Sequence, residues 1–309
     1  MDETDDDETD LPHPLDLPLL SSKPSYAKLR SVLEKLTPPL PLWTAKRRFP
    51  STPHNYTPWL TRIIATPMPW LAPSDSETII SMASNNLALR AGRTAAPDMK
   101  RTFTVENHEI VLFEPSWTAD LAGHKTWGAS LLLAKRLSTL HTISKSSYLD
   151  SSFSGKCLGL GEGTGLLGIS AVKVMAWNVT LTDLPLITSN LRKNVEYNCR
   201  ERADVKDLDW MDPPDDIKEN SFDIIIGSDL IYDAHHPRLV AQMLERYLKK
   251  DNDARVVVVY PLRKSYSTEI ADFEDFLAQL FTIEATGEET GTDDWDTEVL
   301  FRWTIYMWK

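Results

Sequence analysis

Apolar residues at Leu29, Val32, Leu33 and Leu36 follow the three-and-four spacing of one helix face, so a helix is predicted over Tyr26–Leu36. A second is predicted over residues 75–92, with Ile79, Ile80, Met82, Ala83 and Leu87 inward. It starts behind Ser74-x-x-Glu77, the pattern of a capping box. The rest of residues 11–75 holds short apolar pieces broken by proline, as in Pro38-Pro39-Leu40-Pro41. Thr102–Val105 and Glu109–Phe113 alternate as two strands, predicting a hairpin across Glu106-Asn107-His108. A helix is predicted from about Trp127 to Leu140. Then strands and helices alternate. Lys156–Leu160, Val179–Thr182, Phe222–Gly227, Arg255–Tyr260, Phe281–Ala285 and Glu298–Trp308 read as strands, and Gly165–Trp177, Leu186–Asn198, Pro237–Lys249 and Ser267–Leu280 as helices. The stretches IIIG and VVVVY show no polar alternation, as expected of parallel strands covered on both faces. Together these elements predict a doubly wound α/β sheet with an antiparallel hairpin at one end.

Proline and glycine divide the chain. Fourteen of the 20 prolines lie in residues 1–100, but only one of the 12 glycines does. Three regions are expected: a solvated acidic tail over 1–10, an N-terminal extension over 11–100, and the α/β domain over 101–309. Trp43, Trp59 and Trp70 in the extension imply that it packs on something, since a linker has little use for tryptophan. The extension is expected to be mainly helical or irregular and to select a folded protein surface.

Of the net charge of −12, seven charges come from the first ten residues. The modestly acidic remainder argues against a generic nucleic-acid binder and suits a basic protein partner. No apolar run reaches the ~18 residues a membrane helix needs. The acidic start excludes a secretory signal with a basic leading region. Cys157 and Cys199 cannot form a disulfide framework or a structural zinc site, so a reducing compartment is expected: the cytoplasm, or the nucleus as well. His235 and His236 are adjacent and share no helix face, so no metal site is expected.

The main chemical signal is Gly159-Leu-Gly161-Glu-Gly163-Thr-Gly165-Leu-Leu-Gly168, between a strand and a helix. Gly161, Gly163 and Gly165 remove the side chains that would block a ligand over the strand end, and the helix start offers free N–H groups. Asp183 ends the next strand 20 residues after Gly163, where a carboxylate can accept both ribose hydroxyls or cap the following helix. Two nucleoside cofactors compete. Gly163-x-Gly165-x-x-Gly168 matches a dinucleotide fingerprint, whereas Gly161-x-Gly163-x-Gly165 matches a loop for S-adenosylmethionine. No Gly-Lys-Ser/Thr follows, which excludes a phosphate-loop nucleotidase.

Several segments in one order resemble the seven-strand, Rossmann-like protein-lysine methyltransferases, including those acting on translation elongation factors. They are Thr126-Trp127-Gly128, the glycine loop, Thr182-Asp183-Leu184 with Asn194 and Asn198, Leu208-Asp-Trp210, and Ser228-Asp229-Leu-Ile-Tyr232. The resemblance spans about residues 100–309. It implies a seven-strand S-adenosylmethionine methyltransferase sheet, S-adenosyl-L-methionine as cofactor, and a protein substrate, a translation elongation factor in the fungal manner. Trp127 would wall the cofactor's methionine end, and Gly161, Glu162, Gly163 and Gly165 would line it. Asp183 would hold the ribose, Trp210 would flank the adenine, and Ser228 would meet the amino-acid end. Asp229 and Tyr232 would be the catalytic pair, the first holding an ammonium and the second walling the lysine channel. The chain departs from the family at Gly159, where an acid is usual; the nearby acid is Glu162 instead. Other readings of the same residues are a small-molecule or nucleic-acid methyltransferase, a non-catalytic scaffold, and a nicotinamide oxidoreductase.

Overall fold

The computed structural model describes residues 11–38, 55–92, 95–116, 122–150, 152–199, 201–292 and 298–309. The acidic tail, residues 39–41 of the proline cluster, and Trp43 lie outside these. The chain divides into two compact units that part between Pro97 and Asp98.

The first unit contains helices α1 (Tyr26–Leu36), α2 (Thr57–Ala65) and α3 (Pro73–Arg90). The four apolar residues predicted to face inward on α1 are its buried ones, and Ser25 caps it by accepting from the Lys28 N–H. The sequence pattern predicts no helix over α2, because proline interrupts it. Pro58 sits in the first turn, where its missing N–H costs nothing. The capping box at Ser74 and Glu77 does not form. Pro73, whose ring presets a helical φ, starts α3 earlier, behind Ala72, so Ser74 is already inside the helix. The core comes from the unit's own residues, among them Leu29, Leu33, Leu60, Ile63 and Ile79. The indole N–H groups of Trp59 and Trp70 donate to the carbonyls of Pro18 and Pro24, tying the segment before α1 to α2 and to the connection between α2 and α3.

The second unit opens with the hairpin β1 (Met99–Val105) and β2 (His108–Glu114). Its turn has two residues, not the three expected, with Glu106 at φ 52°. Helix α4 (Gly128–Arg136) then tightens into a 3-10 segment, Leu137–Thr142, instead of continuing as one helix to Leu140. The rest runs β3 (Lys156–Leu160), α5 (Leu166–Met175), β4 (Asn178–Asp183), α6 (Pro185–Asn198), β5 (Ala203–Asp207), β6 (Ile224–Ser228), α7 (His236–Tyr247), β7 (Arg255–Pro261), α8 (Ser267–Leu280), β8 (Phe281–Thr292) and β9 (Glu298–Trp308).

These seven strands form one sheet in the order β5-β4-β3-β6-β7-β9-β8, the Rossmann-like architecture expected. The first five are parallel. The closing hairpin is antiparallel, and the last strand inserts between β7 and β8. Strand β5 escaped the pattern reading. It is an edge strand with only Val205 buried, so its remaining positions carry charge or small side chains. Along β6, Ile224 and Ile226 join the core beneath α4, α5 and α6, while Ile225 joins the core beneath α7 and α8. Period two is therefore present, but both faces are apolar.

Strand order reverses between β3 and β6. Chains leaving those neighbours diverge, opening a crevice at their carboxyl ends. The hairpin reaches this crevice through α6. Asn194 accepts from the Phe113 N–H at 2.8 Å and donates to the carbonyls of Phe113 and Thr164 at 3.1 and 2.9 Å. Asn198 makes the equivalent pair with Val111. Side chains thus take the place of a neighbouring strand on this edge of β2. Asn194→Ala leaves three backbone groups without that partner and is expected to destabilise the fold by about 2–4 kcal/mol in a urea titration. A loss below ~1 kcal/mol would show that the clamp is dispensable.

Candidate active site

The turn from β3 into α5 is left-handed at Gly161 (φ 57°), Gly163 (φ 58°) and Gly165 (φ 91°). At Gly163 a side chain would also be crowded, because a Cβ there would lie 3.0 Å from the carbonyl oxygen of Gly123. The neighbouring strand holds the turn. Glu162 N–H donates to Thr182 O at 3.0 Å, and the Thr182 hydroxyl donates to Gly159 O at 2.7 Å. Thr164 bonds Thr126 hydroxyl to hydroxyl at 2.7 Å, tying the turn to the segment before α4.

Gly159 and Glu162 form one steric unit. A Cβ on residue 159 would stand 2.1 Å from Glu162 Oε1, so the glutamate carboxyl occupies the volume that a side chain at 159 would fill. Its Oε2 accepts from the Gly168 N–H at 2.9 Å, inside the first turn of α5, while Oε1 is buried without a hydrogen-bond partner. Burial pushes this carboxyl up to about 8, against the opposing pull of the Gly168 bond. The Glu162 carboxyl thus fills, from the other side of the turn, the space beside position 159.

Asp183 ends β4. Its Oδ2 accepts from Gly163 N–H at 2.7 Å and its Oδ1 from Leu184 N–H at 2.8 Å. The first bond fixes the glycine turn; the second begins the turn into α6. Desolvation pushes its carboxyl up to about 6. Trp210 lies against the start of the turn, its ring 3.3 Å from where a Gly161 Cβ would be, with Leu230 on the same side.

These groups line a cavity of about 640 Å³ at the crevice. Of the residues given a cofactor or catalytic role from the sequence, all are on its wall except Gly165, which sits deeper, against Leu191 and Ile169. Trp127 stands just before α4, half-buried, with its indole N–H donating to Ala122 O at 3.1 Å. Ser228 ends β6. Asp229 follows at φ 54°, half-buried, its N–H donating to Val259 O and its Oδ2 3.5 Å from an Arg263 guanidinium nitrogen. Tyr232 is 46% exposed at the mouth. Desolvation, then the carboxylates of Asp183, Asp229 and Asp233, push its hydroxyl up to about 12, so it stays protonated.

Sequence reading missed several wall residues. Lys125 is buried beside Thr126, Arg263 comes from the segment after β7, and His236 stands edge-on to both Tyr232 and Trp210. Lys125 and Arg263 belong to no motif. His236 had been weighed only as half of a metal pair.

A sulfonium nucleoside fits this wall. A bare turn lies over the strand end, a carboxylate stands at the neighbouring strand tip, an indole flanks one side, and the volume suits a nucleoside carrying an amino acid. Only one such glycine turn exists among the described residues, as expected for a mononucleoside cofactor. Fold and site together define a Rossmann-like methyltransferase that uses S-adenosyl-L-methionine.

Comparison with known proteins narrows the class. A family model described as lysine methyltransferase matches residues 105–278. The protein-lysine N-methyltransferase rrg1 of Schizosaccharomyces pombe is 36% identical over 309 residues, covering 95% of this chain and 97% of that one. The protein-lysine N-methyltransferase EFM2 of Saccharomyces cerevisiae is 35% identical, covering 71% of this chain and 57% of its own length. EEF1A lysine methyltransferase 3 of Xenopus tropicalis is 32% identical over 131 residues, covering 42% of this chain and 56% of that one. The chain belongs to the lysine methyltransferase family and is a protein-lysine N-methyltransferase.

The buried Glu162 carboxyl generates a test. Its folded value, about 8, lies above its ordinary value of 4.5. The folded chain therefore holds a proton that the unfolded chain gives up. The stability is fully present below pH ~4.5 and is lost as pH rises through about 8, at ~1.4 kcal/mol per pH unit. Asp183, raised to about 6, adds a slope of the same sign at lower pH. Between these two values, Glu162→Gln is expected to flatten the fall of Tm with pH in thermal melts. Equal slopes in the two proteins would mean that Glu162 is ionised in the fold.

Proposed function

We propose that this methyltransferase acts on a lysine of a translation elongation factor. The observation that carries the reading is the character of the cavity mouth. Asp209 and Asp233 stand there with the exposed side chains of Met211, Leu184 and Tyr232. An acidic rim set with apolar side chains suits a folded, basic protein surface and repels a phosphate backbone, which argues against a nucleic-acid acceptor. A relative named as an EEF1A lysine methyltransferase supports the choice of protein. The first unit, with a core of its own, is assigned to substrate recognition. The cytoplasm, where translation runs, is the assigned compartment.

The same proposal gives each wall residue a role. Gly161, Gly163 and Gly165 would shape the bed for the cofactor, Glu162 would brace it from behind, and Asp183 would take the ribose. Trp210 would flank the adenine, while Ser228 and Trp127 would bound the amino-acid end. When bound, S-adenosyl-L-methionine supplies a methyl group on a positively charged sulfur, so transfer to nitrogen needs alignment more than activation. The acceptor must arrive neutral. A lysine with a pKa near 10.4 costs about 4.6 kcal/mol to deprotonate at pH 7. The apolar flank of Tyr232 lowers that cost by desolvating the ammonium, and Asp229 orients the nitrogen.

The test is a lysate from cells lacking the enzyme, given radioactive methyl donor and either wild-type protein or Asp229→Ala. One labelled band, identified by mass spectrometry as an elongation factor and lost with the variant, is the expected result. Label in nucleic acid, in small molecules or in an unrelated protein would contradict the reading.

A further inference from the structure

His236 opens α7 and lines the cavity between Trp210 and Tyr232, with ring centroids 5.4 and 4.4 Å away and both contacts edge-on. Its backbone N–H closes the preceding turn onto Asp233 O at 3.1 Å. Its Nδ1 lies 2.9 Å from Leu230 O. A carbonyl oxygen only accepts, so Nδ1 carries the hydrogen and donates it. In the neutral ring the lone pair then belongs to Nε2. Among the described residues Nε2 has no hydrogen-bond partner, and the half-buried ring does not seal it from solvent.

The other polar groups on the acceptor side are less suited to take a proton. Tyr232 keeps its proton at neutral pH. Asp229 faces the Arg263 guanidinium. Asp233 takes the backbone and ring N–H groups of His235, which hold its carboxyl below the ordinary range and make it a weak base. The Glu162 carboxyl is buried and turned to the Gly168 N–H. His236 offers an open lone pair on a ring that burial keeps neutral.

We propose that His236 Nε2 is the proton acceptor for the substrate lysine, a catalytic residue distinct from Asp229 and Tyr232. The proposal rests on lysine as acceptor, not on the identity of the protein that carries it. In the step, one N–H bond of the lysine ammonium breaks and its proton bonds to Nε2. The electron pair left on the amine nitrogen becomes the nucleophile. The imidazolium then gives its proton to water at the cavity mouth, so the ring returns unchanged. The Leu230 carbonyl fixes the tautomer and also stabilises the transient imidazolium, because the Nδ1–H bond strengthens when the ring is charged. From its own turn, Asp233 favours that charge and His235 opposes it. Across the cavity stand Asp183, Asp209, Asp229 and Arg263.

The test uses the full chain. His236→Asn keeps a side-chain N–H for Leu230 O but has no ring base, and His236→Ala leaves room for added imidazole. Nitrogen-15 spectra of the wild-type histidines, with the His236 signals assigned by their loss in His236→Asn, report the tautomer without any substrate. The expected results are a protonated Nδ1 and a bare Nε2 at neutral pH, and a methylation rate ~100-fold lower in His236→Asn. Calorimetric affinity for S-adenosylmethionine is expected to be unchanged, and imidazole to restore part of the rate in His236→Ala. Hydrogen on Nε2, or equal rates for wild type and His236→Asn, would overturn the proposal. A wild-type chain that labels no protein at all would overturn the lysine-acceptor premise itself, a different failure from equal rates.

Discussion

The turn between β3 and α5 is bent over its own strand end by two carboxyl groups, and the site depends on that bend. Asp183 grips it through the Gly163 N–H, and Glu162 reaches behind it to the start of α5. Glu162 is buried and Asp183 half-buried, desolvation shifts both toward their protonated forms, and they lie close enough for the charge on Asp183 to push Glu162 further up. The backbone can follow this path because Gly161, Gly163 and Gly165 accept left-handed conformations that side chains resist. The result is a strand end without side chains, beside a carboxylate whose remaining accepting capacity faces the cavity.

On the far side of the crevice the same economy appears at Asp229. It is the one positive-φ residue of the cavity wall that is not glycine, a conformation aspartate tolerates better than most side chains. Held by its N–H on Val259 O, it turns the chain sharply out of β6. That turn brings Leu230 O, Tyr232 and His236 to the cavity in succession. A strained residue, a tautomer-fixing carbonyl and a ring base therefore come from one short segment after a buried strand.

Much of this was legible in the sequence where local chemistry and global fold coincide. The glycine turn, Asp183 and the segment from Ser228 to Tyr232 follow strand-like runs whose apolar residues have few other uses. Helix α1 was legible because one face is apolar. Strand β5 was not, because an edge strand buries only Val205 and its pairing comes from β4, not from its own pattern. Helix α2 was hidden by prolines that fall in its first turn and beyond its end. The exchange of acid between positions 159 and 162 could be noticed as a departure, but its meaning is steric and appears only when Glu162 is seen in the space beside Gly159. His236 carried no signal of its own, since its role depends on a carbonyl six residues earlier.

Crystals of the full chain grown with S-adenosylhomocysteine test the central claim most directly. The account predicts a nucleoside lying across Gly161–Gly163, with both ribose hydroxyls on the Asp183 carboxylate and the adenine beside Trp210. Density for the ribose at any other acid, or a glycine turn closed against the nucleoside, would contradict it.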